Sequence, residues 1–255
     1  MQPSAVSPWF PGQPMTSTPE LCLFCLPHAG AGASTYRDWQ RLLGPRIEVV
    51  PVQLPGREGR FTEPAERSIR RLSERLLEPV VTRAGAVPFA FFGHSMGALL
   101  AYDLSNELAR LGSPPAHLAV SGYAPPHARA ANPVHTLPDK EFLEHVINLE
   151  GTAPDLLDSP QLLELLLPVL RDDFAACETY EYVERGPLRV PLTAFGGHRD
   201  PGVGVALLER WRELTTGTAT VEVFPGGHFY LLDQVEQVLE TLAARLGAAR
   251  EAGLA

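Results

Sequence analysis

The chain has 255 residues, of which 45% are apolar and 20% charged, and a formal net charge of −9. That length and apolar share support one sizeable core, and nothing marks a second compact domain. The acidic balance argues against general nucleic-acid binding. No apolar run approaches the roughly 20 residues that cross a bilayer, and residues 1–19 lack the basic and apolar regions of a signal peptide, so a cytoplasmic protein is expected.

Residues 1–19 hold five prolines, several hydroxyl side chains and no charge, which reads as a flexible leader without a packed face. From residue 21 onward, apolar strand candidates (21–26, 47–53, 89–92, 118–122, 192–195 and 220–224) alternate with helical stretches (36–43, 66–82, 96–110, 203–214 and 234–246). The alternation predicts an α/β fold: a mostly parallel sheet with helices on both faces. About seventy residues between Gly122 and Leu192 break the rhythm, with helical periodicity and no strand signal. There, residues 138–149 put Phe142, Leu143, Val146 and Leu149 on one face. The stretch from Ser159-Pro160 carries Leu162, Leu163, Leu165, Leu166, Leu167, Val169 and Leu170, too many for one stripe. A helix pair packed on the core and a lid with an apolar underside both fit, and Pro168 predicts a kink or break. Cys22 and Cys25 lie three apart on a strand and face opposite sides, so with Cys177 they read as buried thiols rather than a metal or redox site.

The chemistry centres on Gly93-His94-Ser95-Met96-Gly97, where the apolar run 89–92 turns directly into the helical stretch 96–110. Such a corner strains the serine, two glycines let strand and helix close around it, and the helix N-terminus favours a developing oxyanion. Ser95 is therefore the candidate nucleophile. It needs a base, and His228 follows Phe224-Pro225-Gly226-Gly227 at the end of the last strand candidate. His94, at a variable position of the corner, is expected to pack beside the site rather than act as base. For the acid, Asp200 lies just past a strand end and between Ser95 and His228 in chain order; its competitors Asp172, Asp173 and Asp233 fall on presumptive helices and are expected to be solvated. The oxyanion donors expected are the N–H of Met96 and one from Pro27-His28-Ala29-Gly30-Ala31-Gly32, with Ala29 as the candidate. No metal site is expected.

The set Leu26-Pro27-His28-Ala29-Gly30, Leu54-Pro55-Gly56-Arg57-Glu58, Gly93-His94-Ser95-Met96-Gly97-Ala98, Ser121-Gly122-Tyr123-Ala124-Pro125 and Gly226-Gly227-His228-Phe229 resembles type II thioesterases over residues 21–247. The resemblance extends to the stretch from Leu167 to Phe174 and to Glu178-Thr179-Tyr180. It implies an α/β-hydrolase fold with a helical lid over about residues 126–188, after a leader of residues 1–20 and before a tail of 248–255. It also implies hydrolysis of acyl groups from the phosphopantetheine arm of an acyl or peptidyl carrier protein, in polyketide or non-ribosomal peptide synthesis, with no cofactor. Alternatives are a general carboxylesterase, a fatty-acyl carrier thioesterase and a non-catalytic hydrolase-fold binding protein. Two positions depart from the family pattern: His198, where an acidic residue commonly precedes the catalytic aspartate by two, and Ala31, where glycine is usual. Finally, Arg57, Arg60, Arg67, Arg70, Arg71 and Arg75 cluster in an acidic chain, as a solvated helix face or as a docking surface for an acidic carrier.

Overall fold

The computed structural model describes residues 7–12, 19–128, 133–149 and 160–253. Six strands form one wholly parallel sheet: β1 (Leu21–Leu26), β2 (Ile47–Pro51), β3 (Phe89–His94), β4 (His117–Ser121), β5 (Leu192–Gly197) and β6 (Ala219–Phe224), in the order β2-β1-β3-β4-β5-β6. The eight α-helices among the described residues are α1 (Trp39–Leu43), α2 (Ile69–Ala84), α3 (Met96–Arg110), α4 (Asp139–Asn148), α5 (Pro160–Glu178), α6 (Val205–Glu209), α7 (Tyr230–Asp233) and α8 (Val235–Gly253). Strands β1, β3 and β5 are buried along their whole length, as near-continuous apolar runs require when helices cover both faces. One face buries Phe24, Phe91 and Leu118 against Leu72 and Leu76 of α2 and Leu100 and Leu104 of α3. The other buries Leu23, Phe92 and Phe195 with Trp39, Val238 and Leu242. Cys22 belongs to the first cluster and Cys25 to the second, as their spacing predicts, and all three cysteines are buried and none forms a disulfide. Burial first, then the Glu48 carboxylate, pushes the Cys22 thiol up to about 11.

The strand order reverses between β1 and β3, and the carboxyl ends flanking such a reversal are where open α/β sheets bind ligands. The segment 123–191 contributes no strand among the described residues. Its helices α4 and α5 pack on each other through Phe142, Val146, Leu167 and Phe174, and Glu178 ties α5 to the chain before α4 by accepting the N–H groups of Val134 and His135, each at 3.0 Å. Helix α5 runs through Pro168 without a break. Leu162 and Leu163 have no described side-chain placement.

Some boundaries differ from expectation for identifiable reasons. Helix α2 starts three residues late because Ser68 caps it, its hydroxyl accepting the N–H of Arg71. The stretch 203–214 divides into α6 and a 3₁₀ turn over Arg210–Leu214, and the alanine-rich end of α8 carries helix to Gly253, into the expected tail. The expected leader is corrected at residues 7–12. Trp9 and Phe10 are buried in the first core cluster, the Gln53 N–H donates to Trp9 O at 2.7 Å, Phe10 packs on Phe24, and the Arg60 guanidinium lies 4.2 Å over the Trp9 ring. Two large aromatics in a polar stretch are enough to dock it.

Candidate active site

Ser95 sits between β3 and α3 with φ 54° and ψ −119°, a left-handed conformation that costs a non-glycine residue of order 1–3 kcal/mol. The neighbouring glycines permit it. A Cβ on Gly93 would lie 2.0 Å from Gly97 O, and one on Gly97 would lie 2.2 Å from Leu26 O, so both positions exclude any side chain. The Ser95 N–H donates to Ser121 O at 2.8 Å, which ties the corner to the end of β4.

Asp200 and His228 leave the ends of β5 and β6. Their loops are joined by backbone bonds from His198 N–H to Phe224 O and from Arg199 N–H to Gly226 O, both 2.8 Å. Close approach requires Gly197, where a Cβ would lie 2.0 Å from Gly227 O. The His228 Nδ1–H donates to Asp200 Oδ2 at 2.7 Å, and Asp200 Oδ1 accepts the N–H groups of Gly202 at 2.8 Å and Val203 at 3.2 Å. This buried carboxylate is thus oriented by two backbone donors and fixes the tautomer of His228, leaving Nε2 as an acceptor. The His198 side chain is exposed and only its backbone N–H takes part in these bonds, so the departure there leaves the acid loop intact. Ser95 and His228 line the same two cavities, and no hydrogen bond joins them among the described residues.

The loop after β1 supplies backbone donors in order. The Gly30 N–H is taken by Asp173 Oδ2 at 2.7 Å and that of Ala31 by His28 O at 3.1 Å, whereas the Ala29 N–H has no acceptor among the described residues. Ala29 and Met96 both line the second cavity beside Ser95. Ala31 does not adopt a positive φ, so its methyl group brings no backbone strain where glycine was expected.

Two expectations about charge are overturned here. Asp173, expected to be solvated, is fully buried. Arg57 and Arg60, considered for docking, are 4% and 6% exposed. Arg57 donates to both Asp173 oxygens, Nη1 to Oδ2 at 2.5 Å and Nη2 to Oδ1 at 2.8 Å, while Arg60 donates to Glu63 and to Gln53 O at 3.0 Å. Neither is a surface charge. Arg67, Arg71 and Arg75 do face solvent, and Asp233 is exposed as expected.

Three histidine rings crowd together: His94 lies 5.0 Å from His228 and 5.9 Å from His28, centroid to centroid. His94 is fully buried, and a hydrogen bond of 2.8 Å links its Nδ1 to Ser121 Oγ, which is 2.6 Å from the Tyr230 hydroxyl. That is a packing role beside the site, as expected. Burial, then the charge that His228 can carry, lowers His28 to about 4 and holds His94 well below the usual imidazole range; burial lowers His117, elsewhere in the core, to about 4. All three are neutral in the fold at neutral pH, whereas an unfolded chain would protonate them below about 6.5. Stability should therefore be greatest above pH 6.5 and fall steadily toward pH 4, by about 3 kcal/mol from His117 alone. Urea midpoints at pH 7.5 and 4.5 check this, and an unchanged or higher midpoint at pH 4.5 would refute it.

Above Ser95, the first cavity has a volume of about 180 Å³ and is walled by Leu143, Val146, Leu166, Leu170 and Phe174 of α4 and α5. The second, about 520 Å³, runs past Met96, Tyr123, His145, Cys177 and Glu178. Residues 22–246 match the family model for the thioesterase domain. The chain belongs to the thioesterase family. Among relatives of this thioesterase, the protein named linear gramicidin dehydrogenase LgrE of Brevibacillus parabrevis is 42% identical over 96% of each chain, and the gramicidin S biosynthesis protein GrsT of Aneurinibacillus migulanus is 38% identical over 95% of each. The type II thioesterase BorB from the borrelidin biosynthetic cluster superposes with a TM-score of 0.87 at 36% identity, covering 96% of this chain and 100% of that one. The fold is thus the α/β-hydrolase fold expected from the resemblance. The word dehydrogenase in one relative's name finds no counterpart in this site: the turn after β1 has Thr35 where a third glycine of a dinucleotide fingerprint would stand, and its Gly30 N–H is already bound to a carboxylate.

The reading from sequence missed Gly197 and the Arg57–Asp173 pair. Both charged residues lay inside the quoted family motifs, which was the available sign that they were not ordinary surface groups.

Proposed function

We propose that this thioesterase releases acyl groups from the phosphopantetheine arm of an acyl or peptidyl carrier protein, with Ser95, His228 and Asp200 as the catalytic residues and the N–H groups of Ala29 and Met96 as the oxyanion hole. The observation that carries the reading is the convergence, at one cavity, of a strained serine at a helix N-terminus, a histidine oriented by a buried aspartate, and a backbone donor with no acceptor among the described residues. His228 Nε2 accepts the Ser95 proton as Oγ attacks the thioester carbonyl. The oxygen then carries the negative charge toward Ala29 and Met96. Collapse expels the thiol, to which His228 returns the proton. A thiol with a pKa of about 8.5 leaves with less proton assistance than an alcohol. Water, deprotonated by His228, then releases the acid from the acyl-serine. No helix among the described residues is long and apolar enough to cross a membrane, and none of their His, Cys, Asp and Glu side chains form a cluster able to hold a metal ion.

Helices α4 and α5 act in this reading as a lid over an acyl group. Their apolar walls enclose about 180 Å³, and a cavity of about 150 Å³ holds a group the size of benzene. An acyl group seated in this cavity, rather than in the second one of about 520 Å³ that Ser95 and His228 also line, should be short, with rates falling for chains beyond about six carbons. The relatives' names place them in gramicidin S biosynthesis and the borrelidin biosynthetic cluster, which supports clearance of unwanted short units in such an assembly system as the biological task. A panel of acylated carriers from acetyl to decanoyl, with matched oxyesters alongside, tests this. Equal rates across the panel would refute the size limit, and faster oxyester than thioester turnover would favour a carboxylesterase.

A further inference from the structure

We propose that Asp173 of α5 is a positioning residue for the oxyanion loop: through Gly30 and Arg57 it holds the Ala29 N–H in place, so that the hole is complete only while the lid helix is seated. The inference rests on the role proposed above for Ala29. A buried carboxylate on a helix that walls the cavity is costly unless fully bonded, and Asp173 is fully bonded to groups that shape the catalytic loop. Oδ2 accepts the Gly30 N–H at 2.7 Å and Arg57 Nη1 at 2.5 Å, and Oδ1 accepts Arg57 Nη2 at 2.8 Å. Arg57 Nη1 also reaches Ala31 O at 3.4 Å, so the pair grips the loop at the Ala29–Gly30 peptide and again one residue farther on. Arg57 is itself held, its Nε donating to Pro55 O at 3.2 Å and its carbonyl accepting the Gln53 amide at 3.0 Å.

The backbone of the loop depends on this grip. Gly30 has φ +76°, and a Cβ there would lie 3.0 Å from Leu170 Cδ1 of the same helix, so α5 packs directly over the peptide that follows Ala29. Farther along, Gln53 Oε1 accepts the Ala33 N–H at 3.1 Å, and Glu58 accepts both the N–H and the hydroxyl of Ser34. That half of the loop is fixed by the chain after β2 and is independent of the lid. Among the described residues, only the Gly30 end is held from α5. Moving α5 away would release the Gly30 N–H and take the carboxylate from the Arg57 guanidinium, freeing the Ala29–Gly30 peptide, which adjoins the His28–Ala29 peptide that carries the Ala29 N–H. The lid then does two things when it closes: it covers the acyl group and it completes the charge-stabilising site.

The test compares wild type with Asp173→Asn, Asp173→Glu and Arg57→Lys, and with the double variant Arg57→Met/Asp173→Leu, which removes both charges and the acceptor of the Gly30 N–H together and fills the same space with apolar side chains. Each is assayed for kcat and KM on a short acyl-carrier thioester and for inhibition by an alkyl boronic acid, whose serine adduct mimics the tetrahedral intermediate. In the variants that retain a cooperative thermal transition, kcat should fall about 10- to 100-fold with KM changed less than about threefold, and boronic acid affinity should fall in parallel with kcat/KM. The double variant secures the result if the single variants do not fold. Unchanged kcat in the double variant, or a loss of kcat with boronic acid affinity intact, would overturn the positioning role. Ser95→Ala runs beside them: turnover that depends on Ser95 but is indifferent to Asp173 overturns only this inference, whereas turnover that survives Ser95→Ala overturns the underlying reading of the site as well.

Discussion

Ser95→Ala is expected to lower kcat on an acyl-carrier thioester by on the order of 10⁶, with KM nearly unchanged. The hydroxyl is the only group on the corner able to form the acyl intermediate, and the neighbouring candidates do not substitute for it. His94 is fully buried with Nδ1 engaged by Ser121, and Cys177 belongs to α5 on the wall of the second cavity, not to the helix N-terminus that follows the corner. The fold should tolerate the change. Alanine keeps the Cβ that the backbone already accommodates, and losing one hydroxyl at a cavity wall removes no bond that holds the corner, which is tied by the Ser95 N–H to Ser121 O. Steady-state kinetics on the folded variant, with less than a hundredfold loss, would show that another group does the chemistry.

Asp200→Asn should cost about 10⁴ in kcat/KM while leaving stability nearly untouched. The substitution is close to isosteric, and one side-chain oxygen can still accept the N–H groups of Gly202 and Val203. The amide nitrogen would then face His228 Nδ1, 2.7 Å away, and as a donor it would force the ring proton onto Nε2. That nitrogen could no longer accept the Ser95 proton. The effect therefore comes through the wrong tautomer rather than through misfolding, and a thermal transition close to that of wild type should accompany the loss. A decrease of less than tenfold would mean that Asp200 only orders its loop.

Much of this was legible from residue order because strands and turns leave local marks. Apolar-rich runs bounded by Gly and Pro marked all six strands, β1 to the residue, and the Gly-x-Ser-x-Gly corner marked both a backbone conformation and a chemical role. Chain order alone paired Asp200 with His228, since the ends of parallel strands all emerge at one edge of the sheet. What was not legible depends on distant partners. Arg57 and Asp173 stand 116 residues apart, and each read alone is an ordinary surface charge; only the packing of α5 over the loop after β1 makes them a buried pair. Trp9 and Phe10 were hidden by the polar average of their neighbours, and docking them needed the Phe24 and Gln53 surface that β1 and β2 build. Helix ends such as those of α2 and α8 shifted because capping and alanine content act residue by residue, below the resolution of periodicity.

The measurement that bears most directly on the reactive serine is labelling by a fluorophosphonate ester followed by peptide mass spectrometry. The phosphonyl adduct should appear on Ser95 alone, at a rate that falls steeply in His228→Ala, because the probe needs a hydroxyl whose proton a neighbouring base removes. An adduct on a different residue, or labelling of Ser95 just as fast without His228, would contradict the assignment of these side chains.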